Sequence, residues 1–251
     1  MKNILISTIM RDKEPYLDYW YTCIKQIVEI DKNNKYYLSL YENDSKDNTV
    51  DKIKSFDFSF LQGFKFKTEK LSTPIYDSFS KAAQRVTLIA NARNKSIYSN
   101  QFLANSSHLL VIEADIKYDA KIIVDEIINK GEYDIISPRS VDIDRNCYFY
   151  DDWGTRRTAS DTQWNCFSPN ILRSLGVIPV WTTFNCLCLY NSTPIKNFIT
   201  FEPYNSRLNT YDCDTAVICE NFRKYGFSNI VLNSSIEIYH SRKNFIQDKN
   251  I

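Results

Sequence analysis

Glu113 and Asp115 stand two residues apart at the end of the most apolar run in the chain, His108 to Glu113. Positions i and i+2 of an extended segment face the same side, so both carboxylates can reach one site. Two like charges held together are costly unless a cation joins them. Their hard oxygens suit Mg²⁺ or Mn²⁺, and magnesium commonly takes one or two carboxylates together with substrate phosphates. His240 ends the last apolar segment, Ser235 to His240, where an imidazole could add a third ligand for Mn²⁺. The alternatives are a solvated loop for the acids and a surface position for the histidine.

Composition removes several rival chemistries. Five glycines among 251 residues (Gly63, Gly131, Gly154, Gly176 and Gly226) are scattered too widely for any glycine-rich loop. A dinucleotide fingerprint needs three glycines in about six residues and a P-loop needs two before a lysine, so neither is present. Thirty-one basic against thirty acidic residues leave a net charge of +1, which is no electrostatic footprint for nucleic acid. Seven cysteines without a Cys-x-x-Cys pair read as buried free thiols in a reducing compartment. No apolar stretch of roughly eighteen residues occurs, so no transmembrane segment is expected and the chain reads as cytosolic.

The elements that must position these residues alternate from residue 3 to about 140. Strands are expected at Asn3–Met10, Lys35–Tyr41, Phe64–Thr68, His108–Glu113 and Tyr133–Ser137. Helices are expected after Pro15, from Thr49, over Arg85–Tyr98 and over Ala120–Asn129. That alternation argues for an α/β fold with a mostly parallel central sheet flanked by helices, in one domain over residues 1–251. Residues 141–170 read as a long irregular loop. Beyond it a strand is expected at Val180–Tyr190, a helix at Asp214–Tyr225, and strands at Asn229–Leu232 and Ile236–Tyr239.

Open parallel sheets bind ligands outside the carboxyl ends of their strands. The residues there are Arg11 and Asp12, then Glu42, Asn43, Asp44 and Asp47, then Glu113 and Asp115. Arg85 and Arg93, eight apart, share roughly one helix face, which could also be a solvated amphipathic face. Tyr150 and Trp153 could stack on a sugar while Asp151 and Asp152 bind hydroxyls; otherwise they form the aromatic side of a cap.

At this point the order of motifs resembles a known family, the cryptococcal capsular α-1,3-mannosyltransferases. Tyr41 to Thr49 (YENDSKDNT) is similar to its "YEN-S-D-T" signature, and Arg85 to Asn94 to its "RI-x-Y-L-A-x-x-R-N" helix. His108 to Tyr118 corresponds to its metal-site strand, and Phe149 to Arg156 resembles its "FYD-x-W-x-x-R" loop. Trp181 to Asn185 falls where the family has "CWNG", with Cys186 in place of the glycine, and Asp212-Cys213 where it has "SEC".

The resemblance implies a GT-A glycosyltransferase moving a hexose, mannose first, to a glycan acceptor. GDP-mannose is the first expected donor and a UDP-sugar the second. Residues 3–140 would form the nucleotide-sugar half and residues 141–251 the acceptor half. Thr8, Arg11, Glu42, Asn43, Arg85, Arg93 and Ala114 would bind donor, and Glu113, Asp115 and His240 would hold Mn²⁺ or Mg²⁺. Tyr150, Trp153, Trp181 and Asn185 would bind acceptor. Asp212 is the first expected catalytic carboxylate, with Asp151 and Asp152 as rivals. An α-linkage made from an α-linked donor would retain the anomeric configuration. The alternative from another class is an inactive binding protein of the same fold. A sugar-phosphate nucleotidyltransferase is disfavoured, because Ser7 to Arg11 lacks the glycine-rich loop it needs.

Overall fold

The computed structural model describes residues 1–76, 80, 82–98, 101–145, 148–163, 175–197 and 199–240. Strand β1 (Asn3–Met10) lies in the sheet interior, and Ile4, Leu5 and Ile6 are wholly buried, as expected of a parallel strand covered on both faces. β2 (Lys35–Asn43), β3 (Gly63–Glu69) and β4 (His108–Ile112) run parallel to it, in the order β3-β2-β1-β4. The connections are α1 (Leu17–Ile30), α2 (Thr49–Ser55) and α3 (Ala83–Tyr98). Pro15 sits in the short 3₁₀ turn Glu14–Tyr16 before α1, where its missing N–H costs nothing. α1 then buries Leu17, Trp20, Ile24 and Ile27 against the sheet, a stripe at three-four spacing.

The second part of the sheet is mixed. β9 (Leu187–Asn191) lies antiparallel to β4, followed by β6 (Ile135–Asp142), β12 (Ile230–His240) and the short β5 (Ile116–Lys117). β7 (Tyr148–Phe149) extends β6, and β8 (Val177–Pro179) pairs with β12. β10 (Tyr204–Asn205) and β11 (Thr210–Tyr211) form a separate hairpin. Alternation splits the core in two: Ile4 and Ile6 pack with α1, while Leu5, Leu109 and Val111 pack with Ala90 and Ile97 of α3 and with Phe222.

Several expected boundaries shift. The helix expected over Ala120–Asn129 is α-helical only to Ile123 and continues as a π-helical segment, Val124–Ile128. Of the strand expected over Val180–Tyr190, only Leu187–Tyr190 is strand, in β9, and β8 ends before it at Pro179. Asn185 (φ 55°) and Cys186 (φ 59°) are both left-handed, and no strand passes through such a pair. The two last expected strands are one, β12, with a register shift between Asn233 and Glu237. Part of the expected loop is ordered pairing, since β6 reaches Asp142 and β7 follows; residues 164–174 lie outside the described residues.

Beside this sheet, a buried ionic network joins the segment after β7, the β10–β11 hairpin and the helix Asp214–Lys224. Arg156 has no exposed surface and donates to both oxygens of Asp212, at 2.6 and 2.8 Å. Asn205 also donates to Asp212 (2.8 Å), and Arg207 pairs with Glu220 (2.7 Å). Asp212→Ala should leave Arg156 buried without its main counter-charge and cost about 3–5 kcal/mol in chemical denaturation. A loss under about 1 kcal/mol would contradict a structural role for this pair.

Candidate active site

The chain leaves β1 toward β2 and β3 and later returns to β1's other side as β4, so the strand order reverses there. Such a reversal leaves a crevice at the carboxyl ends of the strands. A cavity of about 630 Å³ occupies it. Its walls are Ile9 to Lys13 after β1, Asn43 at the end of β2, and the loop Thr73 to Tyr76. Arg85, Leu88, Ile89 and Ala92 of α3 close one side, and Glu113, Ala114, Asp115, Tyr150 and His240 close the other.

Beneath Glu113 lies a buried guanidinium. Arg93 is 5% exposed and donates from Nη2 to Glu113 Oε1 at 3.0 Å and from Nε to Asp214 Oδ2 at 3.0 Å. Its guanidinium carbon also lies 4.5 Å from the centre of the Phe184 ring. Burial alone would lower the Arg93 pKa, but the two carboxylates outweigh it and keep the group charged. Asp214 opens its helix, and burial pushes its carboxyl up despite the guanidinium. The Glu113 N–H donates to the Cys186 carbonyl (2.9 Å), so the left-handed Asn185–Cys186 turn fixes the strand end that carries Glu113. Asn185 locks that turn: its Oδ1 accepts from the Ser140 N–H and hydroxyl, and its Nδ2 reaches Ser137, Thr155 and Thr183.

Asp115 belongs to a second cluster. β5 pairs antiparallel with the end of β12, setting Ile116 opposite His240 and bringing Asp115 beside the imidazole. Asp115 Oδ2 lies 2.5 Å from Lys13 Nζ and 3.5 Å from His240 Nε2. The Tyr150 ring stacks on the imidazole, with centroids 3.9 Å apart, and the buried His240 Nδ1 has no hydrogen-bond partner. Burial pushes the Asp115 carboxyl up, but Lys13 and then His240 overcome this and hold it well below the usual range. Burial likewise lowers Lys13, and Asp115 reverses it, so the ammonium stays protonated.

A divalent ion needs several oxygen or imidazole donors converging on one point. Asp115 and His240 converge, but Glu113 is drawn to Arg93 and the near oxygen of Asp115 faces an ammonium. Among the described residues, no three His, Cys, Asp or Glu side chains are placed to hold a metal ion. As arranged, the expected ligand set does not fit a divalent ion.

The other expected site residues divide. Arg11, Asn43, Arg85 and Ala114 line the cavity. Arg11 donates to the Thr73 hydroxyl (2.9 Å) and carbonyl (3.1 Å), and Asn43 to the same hydroxyl (3.0 Å), so both brace the Thr73 loop. Thr8 is wholly buried beneath the floor. Glu42 is buried as well and off the cavity's walls, accepting from the Ser45 N–H (2.7 Å) and the Thr68 hydroxyl (2.5 Å), which makes it a turn-former. Asp151, Asp152, Trp153, Trp181, Asn185 and Asp212 are not among the cavity's walls. Asp151 accepts from the N–H groups of Gly154 and Asn185, Asp152 is exposed, and Trp181 packs under Arg223, 4.3 Å from its guanidinium carbon. Sequence reading missed Asp214 and Lys13. Lys13 was legible by the same rule that picked Arg11, since both directly follow β1.

Comparison with known proteins bears on the family and the fold. Residues 3–215 match the family described as Cryptococcal mannosyltransferase 1. No match to a curated protein reaches significance. Among solved structures, S. aureus TarS 1-349 in complex with UDP-GlcNAc superposes with a TM-score of 0.57 at 12% identity, covering 100% of this chain and 62% of that one. The mannosyltransferase PcManGT from Pyrobaculum calidifontis, in complex with GDP-Man and Mn²⁺, gives 0.54 at 8% identity, covering 97% and 58%. GalNAc-T7 with UDP, GalNAc and Mn²⁺ gives 0.55 at 10%, covering 98% and 44%. The fold is that of GT-A glycosyltransferases, and the chain spans about three fifths of the length of TarS 1-349.

The half-buried Asp151 supplies a pH test. Burial first, and the Glu113 charge further, outweigh its hydrogen bonds and raise its carboxyl from the usual 3.8 to about 7. Between those values the folded protein holds a proton that the unfolded chain has released, so stability falls as pH rises through this window. The Tm advantage of wild type over Asp151→Asn should shrink from pH 4 to pH 7 and level off above. A constant difference across that range would contradict the assignment.

Proposed function

The chain belongs to the Cryptococcal mannosyltransferase 1 family, and from that premise we propose that it moves a hexose, mannose first, from a nucleotide-sugar donor to a glycan acceptor. GDP-mannose is the first donor and a UDP-sugar the second. The observation that carries the reading is the cavity at the strand reversal, with Arg11, Lys13 and Arg85 on its walls and Glu113 and Asp115 at its base. Those cations suit a diphosphate, and the carboxylates suit the positive charge that builds at a sugar's anomeric carbon.

In the transfer, the bond between the anomeric carbon and the diphosphate oxygen breaks, and its electron pair stays on that oxygen. The acceptor hydroxyl oxygen bonds to the same carbon and gives up its proton. With retention, as the family resemblance implies, the acceptor enters on the face the diphosphate leaves, and the departing oxygen takes the proton. Glu113 is the carboxylate assigned to this task, because it lines the cavity and Asp212 and Asp151 do not. Tyr150 is the aromatic side chain placed to meet a sugar. Mn²⁺ or Mg²⁺ would find donors in Asp115 and His240, and in Glu113 only if it left Arg93, so no step is routed through an ion. Cytosolic placement belongs to the same reading, supported by the free thiols of Cys23, Cys186, Cys188, Cys213 and Cys219. Among the described residues, no helix is long and apolar enough to cross a membrane.

A thermal-shift panel of GDP-, UDP- and other nucleotide sugars tests the donor. A donor at a hundred times its Kd adds about 2.7 kcal/mol, a Tm rise of roughly 5–10 °C for a chain of this size. No shift with any donor, with or without Mn²⁺, would contradict the reading. Stabilisation without turnover would identify a binding protein instead. NMR of the first-formed product should show the donor's anomeric configuration, and an inverted linkage would refute retention.

A further inference from the structure

A cation meeting the donor's diphosphate at the end of β4 would lie beside Asp115, the acid there that Arg93 does not hold. Lys13 already lies there. It leaves β1 three residues past the strand's end, its ammonium touches Asp115 at 2.5 Å, and its charge lies 5.4 Å from the centre of the Tyr16 ring. Its side chain is still 27% exposed toward the cavity it lines. We infer that the Lys13 ammonium, held by Asp115, is the built-in cation that meets the diphosphate, so that nucleotide binding needs no divalent ion. The inference rests on the proposed donor class and deepens it.

Three features carry the inference. An ammonium has three N–H donors, so Lys13 can keep Asp115 and still donate to phosphate oxygens. Glu113 is already tied through Oε1 to Arg93, which is itself held by Asp214 and packed on Phe184, so an ion would compete with a fixed guanidinium for it. A divalent ion on Asp115 would have to displace Lys13 or sit against its like charge. Arg11 and Arg85 supply further charge: Arg11 donates to Thr73 and Pro74 and lies 3.9 Å from Asp12 Oδ2, and Arg85 donates to the Ser80 carbonyl. His240 then serves as a positioning residue, reaching Asp115 Oδ2 at 3.5 Å with Tyr150 stacked on its ring.

The test is calorimetric titration of GDP and UDP into the whole chain, with chelator and then with Mn²⁺. Wild type should bind one of them in chelator, and Mn²⁺ should change the Kd by less than about threefold. Lys13→Met should weaken binding in chelator by about 10- to 100-fold, the size of one lost hydrogen bond to a charged group. Lys13→Arg should keep most of the affinity. Should Lys13→Met fail to fold, chelator insensitivity in both wild type and Lys13→Arg still decides. Wild-type binding only with Mn²⁺, or unchanged binding by Lys13→Met in chelator, would overturn the inference and leave the glycosyltransferase reading standing. If neither nucleotide binds with or without Mn²⁺, the donor class itself is wrong and the role of Lys13 fails with it.

Discussion

A guanidinium taken out of water must be given counter-charges, and the structure is arranged around giving two to Arg93. Helix α3 carries the arginine, the end of β4 supplies Glu113, and the first turn of the helix Asp214–Lys224 supplies Asp214. Elements far apart in sequence are thereby joined at one point beneath the cavity. Removing either acid would leave a buried charge short of a partner, so the geometry of the strand end and the packing of both helices depend on the same contacts. The left-handed Asn185–Cys186 turn serves this arrangement, since its carbonyl holds the Glu113 backbone.

The tie has an electrostatic consequence. With Glu113 tied to Arg93, Asp115 is the wall carboxylate that takes other partners, and it has drawn Lys13 and His240 to itself. Together with Arg11 and Arg85 this sets three side-chain cations on the walls, beside Asp12, Glu113 and Asp115, where a diphosphate can meet them. A chain with five scattered glycines cannot cradle phosphate with a loop of backbone amides. Side-chain cations on rigid strand ends do the same task by another route.

Much of this was legible in the sequence because it is local. The span of β1 was read to the residue from one apolar run, and α3 from three-four spacing, within two residues at its start. Glu113, Asp115, Arg11 and Asn43 were found by one rule, that sites lie at the carboxyl ends of strands, and Arg85 by its helix motif. What was not legible depends on partners distant in sequence. Asp212 looks catalytic until Arg156, fifty-six residues earlier, is seen gripping it, and Glu42 until Thr68 and Ser45 are seen to fill it. The i, i+2 spacing placed Glu113 and Asp115 at one cavity, yet their partners pulled them into separate clusters. Spacing reports where side chains start and not what they meet. The late start of β9, at Leu187, was hidden for a similar reason, because neither Asn185 nor Cys186 announces a left-handed pair as glycine would.

The most direct test is a crystal structure of the protein with GDP or UDP, grown in the presence of Mn²⁺ so that an ion has every chance to bind. The account predicts a phosphate oxygen within hydrogen-bond distance of Lys13 Nζ, the Arg93–Glu113 contact intact, and no ion between Glu113 and Asp115. A Mn²⁺ ligated by Asp115, His240 and a Glu113 released from Arg93 would contradict it.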